Sequence, residues 1–143
     1  VIPKGEVMLH GSCLCGEVQY EYSGELGPIA MCHCSQCRRA QGSAYATNSP
    51  IQASQFQFVE GRDLVKEFES KPGKKRAFCS ECGSPLYSRL DSKPALLRLR
   101  IGTLKTQIEA KPEYHIFASS AAEWYEFKDG LPRYAELEDG PLV

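Results

Sequence analysis

Apolar and polar positions alternate along much of this chain. In "GEVQYEYSG", Val18, Tyr20 and Tyr22 share one face opposite Glu17, Gln19 and Glu21, the period-2 signature of a half-buried strand. "SQFQFVEG" puts Phe56 and Phe58 on one side, and "LLRLRIG" sets Leu97, Leu99 and Ile101 against Arg98 and Arg100. "SPLYSRL" and "LVKEFES" predict two further short strands. Turn signals lie between these segments in "SGELGP", "EGRD", "KPGKK" and "LDSKP". Short strands separated by Gly/Pro turns predict a mainly antiparallel β domain. Arg98 and Arg100 then read as a solvent-facing sheet surface, with access to a cleft as the sharper alternative.

Helix is sparse. "SQCRRAQG" predicts a turn or two closed by Gly42, and "SSAAEWYEF" predicts one short Ser-capped helix near the end. The aromatics Phe117, Trp124, Tyr125 and Phe127 read as core or lid packing. No internal repeat or low-complexity block interrupts the chain.

Composition narrows the class. At 143 residues the chain reads as one domain over residues 1–143, long enough to bury a core. Charge is nearly balanced, with 17 Lys and Arg against 18 Asp and Glu. That balance argues against a nucleic-acid or other polyanion partner. Lys74-Lys75-Arg76, the longest basic run, reads as a solvated turn. No apolar stretch approaches a membrane span, and the N-terminus shows no signal-peptide pattern.

The seven cysteines change the picture most. They fall as Cys13 and Cys15, then Cys32, Cys34 and Cys37, then Cys79 and Cys82. An odd count in tight clusters fits a disulfide framework poorly and points to metal ligands in a reducing, cytoplasmic compartment. Cys34-Ser-Gln-Cys37 and Cys79-Ser-Glu-Cys82-Gly83 each have the zinc-knuckle spacing. Joined, they would make a four-cysteine ribbon that leaves three cysteines unused. The favoured partition is four plus three. Cys13, Cys15, Cys79 and Cys82 form a closed structural zinc site, while Cys32, Cys34 and Cys37 form a separate site one ligand short, as catalytic zinc sites are. This division uses all seven. His33 lies between two ligands and in extended backbone points away from them; its plainer reading is an exposed or supporting histidine. His10 and His115 stay open as distant candidates for the fourth ligand.

"GSCLCGEVQYEY", "CHCSQCRRAQGSAY" and "FCSECGSPLY", with "GTL" at 102–104 and "HIFASSAAEW" at 115–124, resemble the glutathione-dependent formaldehyde-activating enzyme family, which also contains centromere protein V. The resemblance implies a β-rich, Mss4-like (β-tent) fold with one or two short helices. It implies structural zinc on Cys13, Cys15, Cys79 and Cys82, and catalytic zinc on Cys32, Cys34 and Cys37. The implied activity is a carbon–sulfur lyase reaction, condensing formaldehyde with glutathione to S-(hydroxymethyl)glutathione.

An open three-thiolate zinc suits a substrate thiol, whose pKa the metal lowers, and a bound water is the competing fourth ligand. Arg38 and Arg39 follow the last ligand and are candidates to offset the negative centre or hold a glutathione carboxylate, against an equal reading as a solvated helix face. His115 reads either as a proton shuttle or as a buried hydrogen-bonded histidine. Two zinc ions and a small thiol with a carbonyl are therefore the expected cofactors and partners. The competing reading is a zinc-stabilised binding module of the same fold, and a third is zinc buffering. The incomplete ligand set favours the enzyme, and the lack of a basic extension argues against a chromatin or microtubule role.

Overall fold

The computed structural model describes residues 8–143; the sequence reading of the N-terminal segment lies largely outside them. Among the described residues, ten strands in two sheets and one α-helix carry the fold. Contacts divide the chain into two compact units, one running through Gly27 and including Ser49–Glu109, the other Pro28–Asn48 and Ala110–Val143.

In the first unit, β1 (Leu9–Ser12), β2 (Gln19–Tyr22) and β5 (Phe56–Glu60) form a three-stranded sheet in the order β1-β2-β5. The alternation along β2 does what it predicts. Val18, Tyr20 and Tyr22 are all essentially inaccessible, and the two tyrosines pack with Leu9, Ile51, Leu97 and Leu99. Each such side chain contributes roughly 1.5–3 kcal/mol by leaving water. The buried hydroxyls are satisfied. Tyr20 Oη lies 2.6 Å from Thr103 Oγ1, and Tyr22 Oη donates to the Glu25 carbonyl at 2.9 Å.

The same unit carries an antiparallel meander of β6 (Val65–Lys71), β7 (Lys74–Cys79), β8 (Pro85–Leu90) and β9 (Leu96–Arg100). Two sequence expectations fail here. Lys74-Lys75-Arg76 is the start of β7 rather than a turn, because the hairpin closes at Gly73, whose φ is 81°. Arg76 is buried, with Nε donating to Ser70 Oγ at 3.2 Å. Arg100 does not face solvent: it is 4% exposed, and its guanidinium donates to Ser88 Oγ and the Arg98 carbonyl.

In the second unit β3 (Ile29–Cys32) lies between β10 (Pro112–Ile116), parallel to it, and the first residues of β4 (Ala46–Gln52), antiparallel to it. β3 is buried along its whole length, as a central strand covered on both faces must be. The α-helix α1 (Ser35–Gln41) follows directly. Cys34 is its N-cap, its sulfur accepting from Cys37 N–H, and Gly42 closes it at φ 61°. The helix expected over "SSAAEWYEF" does not form. Phe117 adopts φ 52°, and the chain makes only a 3-10 turn over Ala118–Ser120. The N–H groups of Phe117 and Ala118 are drawn to Glu136 and Tyr134 carbonyls instead, so tertiary pairing outcompetes local helix propensity.

Candidate metal centre

Two groups of cysteine sulfurs converge, one in each unit. In the first, Cys13, Cys15, Cys79 and Cys82 place their sulfurs within 4.8 Å of one another. Cys13 and Cys15 sulfurs are 3.5 Å apart, and Cys15 and Cys79 sulfurs 3.9 Å. A tetrahedral zinc with Zn–S bonds of about 2.3 Å requires sulfur separations near 3.8 Å, so the donor set fits the ion.

The backbone explains the convergence. Gly16 at φ 83° and Gly83 at φ 78° turn the chain just after each pair. Val18 N–H donates to Cys13 Sγ at 3.3 Å, and Gly83 N–H donates to the Cys79 carbonyl at 2.7 Å. Ser84 Oγ, 3.2 Å from Cys82 Sγ, also accepts from Leu14 N–H and so ties the two knuckles together. Its hydrogen bond leads the influences that pull the Cys82 thiol down to about 5. Val18 and Leu86 pack against Cys13 and Cys79 and keep water from them.

The second group is Cys32, Cys34 and Cys37, again within 4.8 Å, and no fourth His, Cys, Asp or Glu atom joins it among the described residues. Cys32 ends β3, Cys34 caps α1, and Cys37 lies in the first turn of that helix. Hydrogen bonding to Cys34 and Cys37, then burial, pushes the Cys32 thiol well above its ordinary range. Three crowded sulfurs with no compensating cation cannot all ionise, so this donor set also suits a metal ion.

His33 points away from both neighbours' sulfurs, as alternation requires, but it is fully buried rather than exposed. Its backbone N–H donates to the Ile116 carbonyl at 3.0 Å, which locks it to β10. Its Nε2 lies 2.8 Å from His115 Nδ1, and His115 Nε2 lies 2.8 Å from Asp129 Oδ2. Tyr45, Tyr125 and Phe127 crowd the His33 ring with centroids 5.0–5.1 Å away, and Arg133 stacks over Phe127. Burial, then the charges of His115 and Arg38, push the His33 pKa down to about 4. Asp129 sits below the ordinary carboxylate range although burial opposes this, through the Leu131 N–H and His115. His115 is thus buried and hydrogen-bonded, and His10, near Glu21 and Thr106, belongs to neither cysteine group.

The sequence reading missed Asp129. An acidic residue in "FKDGLP" carries no local signal of its partner, which is 14 residues away in sequence. Arg38 lines a groove of about 460 Å³ with Ala121, Ala122, Glu123 and the exposed Trp124, whereas Arg39 is exposed and lines no part of it. No helix among the described residues is long and apolar enough to cross a membrane.

A crystal structure of a Rhodobacter sphaeroides protein is similar to this chain, with a TM-score of 0.59 at 25% identity, covering 70% of this chain and 91% of that one. No curated protein matches the sequence. The family model described as glutathione-dependent formaldehyde-activating enzyme matches residues 8–120, which include every cysteine of both groups. The chain belongs to the glutathione-dependent formaldehyde-activating enzyme family.

Proposed function

We propose that this protein is a cytoplasmic zinc-dependent carbon–sulfur lyase that joins a small thiol to a carbonyl or cleaves their adduct, with glutathione and formaldehyde as the substrates the family name favours. The observation that carries this reading is the three-sulfur cluster of Cys32, Cys34 and Cys37 without a fourth protein ligand among the described residues. Zinc held there would lower the pKa of a substrate thiol and keep its sulfur nucleophilic. Cys13, Cys15, Cys79 and Cys82 would hold the structural zinc.

In the condensation the sulfur adds to the carbonyl carbon. A C–S bond forms, the C=O π bond breaks, and the thiol proton ends on the oxygen. Arg38 sits beside the last cysteine and its groove gives a small thiol a place to lie, with its charge opposing the anionic sulfurs. Tyr125, Phe127 and Tyr45 around His33 exclude water from one side of the loop that carries Cys32 and Cys34.

The binding-module reading draws on a different feature, a groove of about 710 Å³ lined by Phe56, Phe58, Val65, Tyr87, Arg62 and Arg89. Cobalt substitution separates the two. Each added thiolate strengthens the sulfur-to-metal charge-transfer band. Titrated glutathione should add one thiolate's worth of intensity, and S-methylglutathione should add none. A band indifferent to every thiol would favour the binding module.

A further inference from the structure

One sheet edge in the first unit is left open. β5 is the last strand of its sheet, and residues 56–59 carry no charge. Edge strands are ordinarily guarded by charge, by proline or by a covering segment. The other edge of this sheet is covered: Leu104 bridges to Gly11, and Lys105 N–H donates to the His10 carbonyl at 2.8 Å. β6, which ends the larger sheet, carries Lys66, Glu67, Glu69 and Lys71. Among the described residues β5 has neither protection.

The main chain of β5 is aimed at this edge. Ser23 N–H donates to the Gln55 carbonyl at 3.0 Å, and Glu21 lies opposite Gln57. Antiparallel hydrogen bonding alternates along a strand, so Gln57 bonds to β2 while Phe58 N–H, Phe58 C=O and Phe56 C=O point outward. Phe56 N–H is already taken by the Ala53 carbonyl. The groove of about 710 Å³ touches Phe56, Gln57 and Phe58. Successive side chains on a strand face opposite ways, so a groove touching all three runs along the strand's edge.

The floor of that groove is one face of the β6–β8 meander, where Glu67, Ala77 and Tyr87 lie opposite one another. Its charged groups are matched internally: Tyr87 Oη donates to Glu67 at 3.0 Å, and Arg89 forks onto the same carboxylate. Phe56, Phe58 and Tyr87, with ring centroids 5.1–6.4 Å apart, supply the apolar surface. Arg62, in the turn between β5 and β6, is exposed and has no ion pair among the described residues. A rigid small molecule would cover the rings and leave the Phe58 main chain bare. An extended peptide matches both.

We propose that this groove takes an extended peptide segment of a partner protein as a fourth strand beside β5, with apolar side chains at alternate positions over Phe58 and Tyr87 and an acidic residue at Arg62. No cysteine lines the groove, so the inference is independent of the thiol–carbonyl reading.

Hydrogen exchange by NMR of the zinc-loaded protein tests the edge first. In the free protein Phe58 N–H should exchange fast and Gln57 N–H slowly. The probe is a capped peptide of alternating valine and threonine with aspartate at both ends, so that either strand direction brings one acid to Arg62. It should bind and slow exchange at Phe58 by about tenfold or more, leaving Gln57 unchanged. Arg62→Glu should weaken binding by about tenfold, and the same peptide with lysine ends should restore affinity to that variant. A fully N-methylated peptide, unable to donate main-chain hydrogen bonds, should not bind. Failure of the probe to bind at millimolar concentration, affinity indifferent to Arg62→Glu, or equal binding of the N-methylated peptide would each overturn the proposal. Phe58 protection that rises with protein concentration alone would assign the edge to a second copy of this chain, also against it.

Discussion

Gly61 shows how closely single residues constrain this fold. It sits at φ 73°, and a Cβ built on it would meet the Glu17 carbonyl oxygen at 2.2 Å. Two penalties coincide there, a backbone conformation that L side chains avoid and a clash with backbone that cannot rotate aside. Gly42 shares the left-handed conformation at φ 61° but has open space around it. Gly61→Ala should therefore cost roughly 2–3 kcal/mol, beyond the ~1 kcal/mol expected from conformation alone at Gly42. Urea unfolding of the two variants measures the difference, and equal midpoints would show that the Glu17 approach relaxes freely. Phe117, at φ 52° without a glycine's freedom, marks another constraint. Its N–H bonds the Glu136 carbonyl, and the turn it starts carries the chain from β10 toward Tyr125 and Asp129.

Among the elements, β6, β7 and β8 share a charged face whose pH response follows from its geometry. Arg89 forks onto Glu67 at 2.7 and 2.8 Å and reaches Asp91 at 2.9 Å, while Lys75 contacts Asp91 and Glu69. The Arg89 hydrogen bonds hold the Glu67 carboxyl below its ordinary range, and the Lys75 hydrogen bond does the same for Asp91, in both cases against burial. The unfolded chain therefore takes up protons at higher pH than the folded one. The stabilisation is fully present above the ordinary carboxylate range, about pH 5 and up, and is lost as pH falls through the depressed folded values. Arg89→Met should lower the neutral plateau of a melting-temperature profile most and its low-pH end least, so that the acid limb flattens. An acid limb identical to the native one would assign acid sensitivity to other carboxyls.

For the whole molecule, the two cysteine groups give the sharpest contrast. Metal-replete protein should hold two zinc ions per chain, one per group, by elemental analysis. Cys79→Ser opens a four-sulfur set that joins knuckles 64 residues apart between Cys15 and Cys79. Because structural zinc contributes ~10 kcal/mol or more to small zinc domains, this variant should melt far lower. Cys37→Ser removes one of three candidate ligands in the first turn of a seven-residue helix, so it should stay folded with one zinc and no activity. Similar melting of both variants, or saturation at one zinc in the native protein, would overturn the structural and catalytic division.

Much of this was legible in the sequence because the interactions responsible are local. Cysteines two or three residues apart must bring their sulfurs together wherever the backbone turns, and alternation in "GEVQYEY" decides which side chains of β2 are buried. Knuckle spacing, the α1 stop at Gly42 and the family motifs belong to the same short range. Tertiary structure decided what depends on residues distant along the chain. Parallel pairing sets Ile116 opposite Cys32 and brings His115 to His33 across 82 residues, and Asp129 enters only through the following loop. Arg100 alternates with leucines and reads as exposed, yet Ser88 on the neighbouring strand gives its charge a buried partner. The "SSAAEWYEF" segment has helix formers, but the carbonyls of residues 134 and 136 claim the N–H groups at its start. Local spacing fixes which atoms can share an ion; long-range pairing decides which polar atoms are buried beside it, because only the folded chain removes their water.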